Sequence, residues 1–213
     1  MKKGIFVSLE GIDGSGKTTL KKLIIENYNN YYQILPLREP GGNKVSEKIR
    51  EMLLDVKNEG IQPQTEAMLY AAARAQLVEE IIKPAIKEGK LIIADRYMDS
   101  TIAYQGYGRN LDIDFLKQLN YLCTSGLKPD LTLLLDLEPT AAHNRRSDKL
   151  PDRLEKEGLS FQSKVRNGYL KIAKEEPQRV KLLDASQKIE IVLNKAIKLI
   201  DKEIKGKGSE VDV

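Results

Sequence analysis

Cysteine and histidine each occur once, as Cys123 and His143, in a chain of 213 residues. A single cysteine excludes an intramolecular disulfide framework and any cysteine-rich zinc site. A single histidine excludes a three-histidine metal centre. Nowhere do about 18 apolar residues follow one another, so no membrane span is expected. The opening Met1 to Glu10 turns acidic before a signal-peptide core can form, which makes the cytoplasm the expected compartment, with no membrane partner. A large excess of one charge is missing too. Thirty-five basic against 31 acidic residues leave +4, too mild to indicate nucleic acid as a partner and suited to one local basic pocket. No repeat, low-complexity tract or compositional shift marks a second domain. One domain over residues 1–204 is expected, with 205–213 as a frayed tail that holds two glycines and no apolar period.

A hydrophobic content of 41% is enough for a full core. Five apolar runs read as strands: Ile5 to Leu9, Ile34 to Leu37, Leu91 to Ala94, Leu131 to Leu135 and Val180 to Leu183. Continuous rather than alternating apolar residues fit strands covered on both faces, hence a parallel sheet. The intervals between them are long enough for crossover helices, which gives an α/β architecture. The stripe Ile189, Val192, Leu193, Ala196, Ile197, Ile200 and Ile204 marks a packing helix near the end of the chain. Thr65 to Leu77 reads as an alanine-rich helix, and Pro84 kinks or restarts the helical stretch after it.

Gly11-Ile12-Asp13-Gly14-Ser15-Gly16-Lys17-Thr18 matches the phosphate loop G-x-x-x-x-G-K-[ST] between the first strand and first helix. Glycines let the backbone curl so that its N–H groups surround an anion, and the helix N-terminus adds partial positive charge. Lys17 then reaches the β- and γ-phosphates, and the Thr18 hydroxyl ligates Mg²⁺. The motif implies a nucleoside triphosphate without naming a reaction.

Three further segments start where strands end: Arg38-Glu39-Pro40-Gly41-Gly42, Asp95 to Ser100, and Ala103-Tyr104-Gln105-Gly106. Ligands collect outside the carboxyl ends of parallel strands, so these should converge on the loop. Asp95 and Asp136 both close an apolar strand as metal candidates; Asp95 is preferred because Arg96 follows it. Arg96 and Arg50 are candidates to clamp an acceptor phosphate, the alternative being surface ion pairs. Tyr70 and Arg74 share a helix face, as either a base-stacking pair or a core tyrosine beside a solvated arginine.

Together these motifs resemble the thymidylate kinase family. The carriers are Glu10 to Thr19, Arg38 to Gly42, Thr65 to Arg74, Asp95 to Gly106 and Gly126 to Thr132, in order, within a likeness spanning Ile5 to Asp184. Asn43 and Leu9 depart from the usual pattern without touching a proposed reacting atom. The resemblance implies transfer of the γ-phosphoryl group of ATP to dTMP, giving dTDP for dTTP and DNA synthesis. It also implies Mg²⁺, a homodimer, and a three-layer P-loop sandwich with strand order 2-3-1-4-5 and helices on both faces. By resemblance, Gly11 to Thr19 hold ATP, and Thr18 and Asp95 the metal. Tyr70 stacks on thymine, Arg74 meets the base edge, and Thr101 and Gln105 border it. Arg50 and Arg96 grip the acceptor phosphate, Asp13 meets the 3′-hydroxyl, Tyr104 lies near the sugar, and Glu39 and Ser100 complete the dTMP site.

A phosphate monoester is largely a dianion at neutral pH. No general base is needed, and His143 reads as a surface residue. The phosphate loop itself carries no arginine, so the catalytic charge beyond Lys17 and Arg96 is expected from a lid at 141–158. Arg153 is favoured there, then Arg145 or Arg146. Another nucleotide or nucleoside kinase of the same fold, or a nucleotide-dependent switch, are the competing readings.

Overall fold

The computed structural model describes residues 4–145 and 153–209. In chain order the elements are β1 (Ile5–Glu10), α1 (Lys17–Tyr28), β2 (Ile34–Arg38), α2 (Lys44–Leu54), α3 (Pro63–Leu77), α4 (Lys83–Lys87), β3 (Leu91–Asp95), α5 (Met98–Thr101), α6 (Ile113–Thr124), β4 (Leu131–Asp136), α7 (Pro139–Asn144), α8 (Gly158–Glu175), β5 (Val180–Asp184) and α9 (Ile189–Ser209). Two π-helical stretches, Val78–Ile82 and Ile102–Gly108, continue α3 and α5.

All five strands run parallel in the order β2-β3-β1-β4-β5. Apolar residues on both faces explain the continuous runs. Ile5, Val7 and Leu9 of β1 join one core with α1, α6, α8 and α9, while Phe6 joins the other with Leu77, Ile82 and Tyr97. Each fully buried Leu or Ile contributes about 1.5–3 kcal/mol. Polar residues take part as well. Ser8 of β1 and Thr132 of β4 are buried with their hydroxyls 2.7 Å apart, and Arg179 and Asp99 close that network.

Every strand runs one residue past its apolar run, into Glu10, Arg38, Asp95, Asp136 or Asp184. These charged ends form the carboxyl edge of the sheet, where ligands of open α/β folds bind. Of the expected frayed tail at 205–213, residues 205–209 are helical, and 210–213 lie outside the described residues. Helix α9 continues through Ser209, because Lys207 lies 2.7 Å from Asp130 and also donates to the Gly4 carbonyl.

Candidate active site

The turn from β1 into α1 needs glycine. At Gly11 (φ 140°) a Cβ would stand 2.6 Å from the Leu135 carbonyl oxygen, and at Gly14 (φ 85°) 2.2 Å from that of Ala142. Both φ values are in the region L side chains rarely adopt. Lys17 is buried and donates from Nζ to the carbonyls of Gly11 (3.0 Å) and Ile12 (2.9 Å). Burial, with Arg96 next, lowers its ammonium to about 8, against the pull of Asp13, Asp95 and Glu10. A cleft of about 960 Å³ opens over the loop, walled by Asp13 to Thr19 together with Arg38, Asp95 and Arg145.

On the floor of that cleft the Thr18 hydroxyl donates to Asp95 Oδ2 at 3.3 Å. Hydroxyl and carboxylate oxygens side by side are the hard donors that Mg²⁺ takes, so the pair fits that ion. Asp136, the competing candidate, is held on both oxygens by Arg166, at 2.6 and 3.0 Å. Among the described residues no group of three or more His, Cys, Asp or Glu side chains could hold a metal alone. A bound ion would therefore draw further oxygens from phosphates and water.

Beside the cleft lies a narrower recess lined by Tyr70, Arg74, Thr101, Tyr104 and Gln105. Arg74 is buried at 1% exposure and makes four hydrogen bonds, which answers the alternative of a solvated arginine. It donates to Glu39 (2.7 Å), Thr101 (2.9 Å), Asn120 (2.8 Å) and the Tyr97 carbonyl (3.1 Å). Burial raises the Glu39 carboxyl and Arg74 opposes that rise. Gln105 donates its amide to buried Glu66. Arg50 donates to the Pro40 carbonyl and borders both cavities.

The two cavities share Asp13, Glu39, Arg50 and Arg96. Arg96 is the hub, with φ 70°. Its Nη2 donates to Asp13 at 2.5 Å and Tyr104 at 2.9 Å; its Nη1 donates to the Gly11 carbonyl, Ser100 and Tyr169. Burial works to raise the Asp13 carboxyl, but Arg96, Lys17 and the Tyr104 hydroxyl together hold it well below the usual carboxylate range. Glu10, at the end of β1, is fully buried behind Arg96; burial and then the Asp99 charge push its carboxyl up to about 7, opposed by Arg96, Ser100 and Tyr169.

Residues 9–196 match the family model described as thymidylate kinase. The chain belongs to the thymidylate kinase family. A thymidylate kinase of Thermoanaerobacter sp. (strain X514) is 49% identical over 201 residues, covering 94% of this chain and 98% of that protein. One of Caldanaerobacter subterraneus subsp. tengcongensis is 47% identical over 205 residues, covering 96% and 98%. A crystal structure of thymidylate kinase from Ehrlichia chaffeensis superposes with a TM-score of 0.79 at 32% identity, over 93% of this chain and 99% of that one.

Within the thymidylate kinase framework, several residues stand elsewhere than the sequence suggests. Arg153, favoured as the inserted lid cation, is buried away from the phosphate loop. Its Nε donates to the Leu53 carbonyl at 2.9 Å and its Nη2 lies 2.5 Å from Glu66. The buried Glu66 carboxylate on α3 is its counter-charge, a partner remote in the sequence. Arg145 does border the phosphate cleft and donates to the Ala185 carbonyl at 2.8 Å. Arg146, in the expected lid, lies outside the described residues. The side chain of Ile12 belongs to the core, so only its backbone faces the loop. Thr19 borders the cleft. Glu10, Glu66, Tyr169 and Arg166 escape a sequence reading of the site. Glu10 had a signal, an acid directly after an apolar strand; Tyr169 reads simply as an apolar-face residue of α8.

Proposed function

We propose that ATP occupies the loop cleft, dTMP occupies the adjoining recess, and the phosphoryl group passes directly across their shared wall. The observation that carries this is the wall itself, Asp13, Glu39, Arg50 and Arg96, common to both cavities. A dTMP phosphate oxygen attacks the γ-phosphorus, and the bond from that phosphorus to the β–γ bridging oxygen breaks. ADP leaves as dTDP forms.

The acceptor is already a dianion, so the protein need only align two anions and offset their charge. Lys17 supplies one cation at the γ-phosphate. Arg96, with Arg50, supplies the grip on the acceptor, which requires the dTMP phosphate to compete with Asp13 for the Arg96 guanidinium. Tyr70 offers its ring to the thymine, while Arg74, Thr101 and Gln105 line the base end. Asp13 and Tyr104 border the sugar, and Glu39 and Ser100 line the same recess. Thr18 and Asp95 would hold Mg²⁺, which would supply positive charge to offset that of the triphosphate.

The proposed working form is a cytoplasmic homodimer. No described helix is long and apolar enough to cross a membrane. Met52 of α2, Met68 of α3, and Tyr121 and Leu122 of α6 are exposed on helices that pack side by side. Covering such apolar side chains is a common driving force for pairing. Sedimentation at micromolar concentration is expected to show a particle of twice the chain mass.

A coupled ADP-release assay over a panel of nucleoside monophosphates tests the substrate reading. Fast ADP release with dTMP, and slow release with purine monophosphates, is expected. Single-turnover rates separate the two described lid arginines. Arg145→Ala is expected to slow phosphoryl transfer about tenfold or more. Arg153→Ala should leave transfer near the wild-type rate and cost about 3 kcal/mol of stability through the broken Glu66 pair.

A further inference from the structure

Glu10 touches neither cavity, yet its contacts converge on the residue that joins them. It ends β1 on the face that also carries Phe6, and it is fully buried. Its Oε1 accepts the Tyr97 N–H at 2.7 Å. Its Oε2 accepts the Ser100 hydroxyl at 2.6 Å and the Tyr169 hydroxyl at 2.8 Å. Those two hydroxyls are also the partners of Arg96 Nη1, at 3.3 and 3.1 Å.

A carboxylate has no hydrogen to give, and a guanidinium has no lone pair. Between them, each hydroxyl sends its single hydrogen toward Glu10 and its lone pairs toward Arg96. The Tyr97 bond adds a backbone restraint. Arg96 sits at φ 70°, a conformation uncommon outside glycine, and the next N–H is fastened to Glu10.

We infer that Glu10 is a positioning residue for phosphoryl transfer, holding Arg96 in place through the Ser100 and Tyr169 hydroxyls and the Tyr97 N–H. This rests on the reading of Arg96 as a contact of the acceptor phosphate. Groups that hold a catalytic side chain in one rotamer preserve the alignment that in-line transfer needs. Exchanging the carboxylate for an amide keeps its size but turns an N–H₂ toward the two hydroxyls. One hydroxyl can then donate to the other, 2.8 Å away, but the remaining hydrogen turns toward Arg96, which repels a cation.

The test compares Glu10→Gln, Tyr169→Phe and the double variant at a pH between the values of Glu10 (about 7) and Lys17 (about 8), where both are largely charged. Glu10→Gln is expected to lower kcat about tenfold or more, with KM for ATP and the melting temperature near wild type. Tyr169→Phe is expected to slow the wild type but to change the Glu10→Gln enzyme much less, since the link from Glu10 to Arg96 through that hydroxyl is already lost. Wild-type kcat in a folded Glu10→Gln enzyme would overturn the inference. So would Tyr169→Phe slowing both backgrounds by the same factor, the pattern of a merely structural residue. If Glu10→Gln does not fold, Tyr169→Phe alone carries the test, and an unchanged kcat would overturn it. Arg96→Ala separates the two levels. Unaltered dTMP turnover in that variant removes the reading of Arg96 itself, whereas a slow Arg96→Ala beside a fast Glu10→Gln removes only the role of Glu10.

Discussion

Lys17→Ala is expected to lower kcat by about 10²–10³-fold, the largest catalytic effect in the molecule. The lysine is buried beneath the phosphate-loop cleft, with no other lysine or arginine inside the loop motif. Its ammonium acts on charge that develops as the phosphoryl group leaves ADP, so the loss falls on the transition state. Stability should change little. Nζ bonds the carbonyls of Gly11 and Ile12 in the ligand-free loop, but burying the ammonium, which lowers its pKa, offsets what those bonds contribute. Steady-state kinetics with a thermal melt separate the two quantities. A folded variant with wild-type kcat would remove the phosphate loop from the mechanism.

Arg74→Ala is expected to be the most destabilising of the site variants, by about 3–5 kcal/mol. From the sequence, Arg74 promised only an effect on the base. The structure adds a buried ion pair with Glu39, whose side chain is 4% exposed, and bonds to Thr101, Asn120 and Tyr97. Truncation leaves the Glu39 carboxylate without its cation and opens a void among packed side chains. Domains of this kind have about 5–15 kcal/mol of stability in total. A loss of this size lowers the melting temperature by about 6–20 °C. KM for dTMP should rise as well, because Thr101 and Glu39 border the recess. Arg74→Lys retains a charge beside Glu39 while losing the planar fork that also reaches Thr101, Asn120 and the Tyr97 carbonyl, and should fall between. Differential scanning calorimetry decides it; an Arg74→Ala enzyme that melts like wild type would show that the pair contributes nothing.

Much of this architecture is readable from the chain because parallel strands covered on both faces carry an unmistakable apolar signature. The runs Ile5 to Leu9 and Leu131 to Leu135 are such strands. Their last residues, Glu10 and Asp136, are legible as acids closing an apolar run, but their partners Tyr169 and Arg166 on α8 are not. Yet these acids organise the carboxyl edge of the sheet. The phosphate loop was legible for a different reason: its chemistry is local, with glycines, lysine and threonine at fixed spacing. Arg153 shows the opposite case. A basic residue in a polar stretch reads as a solvated or catalytic cation, and nothing nearby in sequence points to Glu66 on α3 as its partner. Tyr169 is similar, as its hydroxyl meets Glu10 only once α8 has packed across the sheet. Buried polar partners distant in the chain leave no periodic trace.

Direct transfer across a shared wall has one decisive stereochemical consequence. With ATP made chiral at the γ-phosphorus by oxygen isotopes, the configuration of the phosphoryl group in dTDP records how many displacements occurred. One in-line displacement between two substrates bound together, one in the cleft over Lys17 and the other in the recess beyond Arg96, predicts inversion at phosphorus. Retention would mean that a side chain of the enzyme carries the group between two displacements, and would contradict the account.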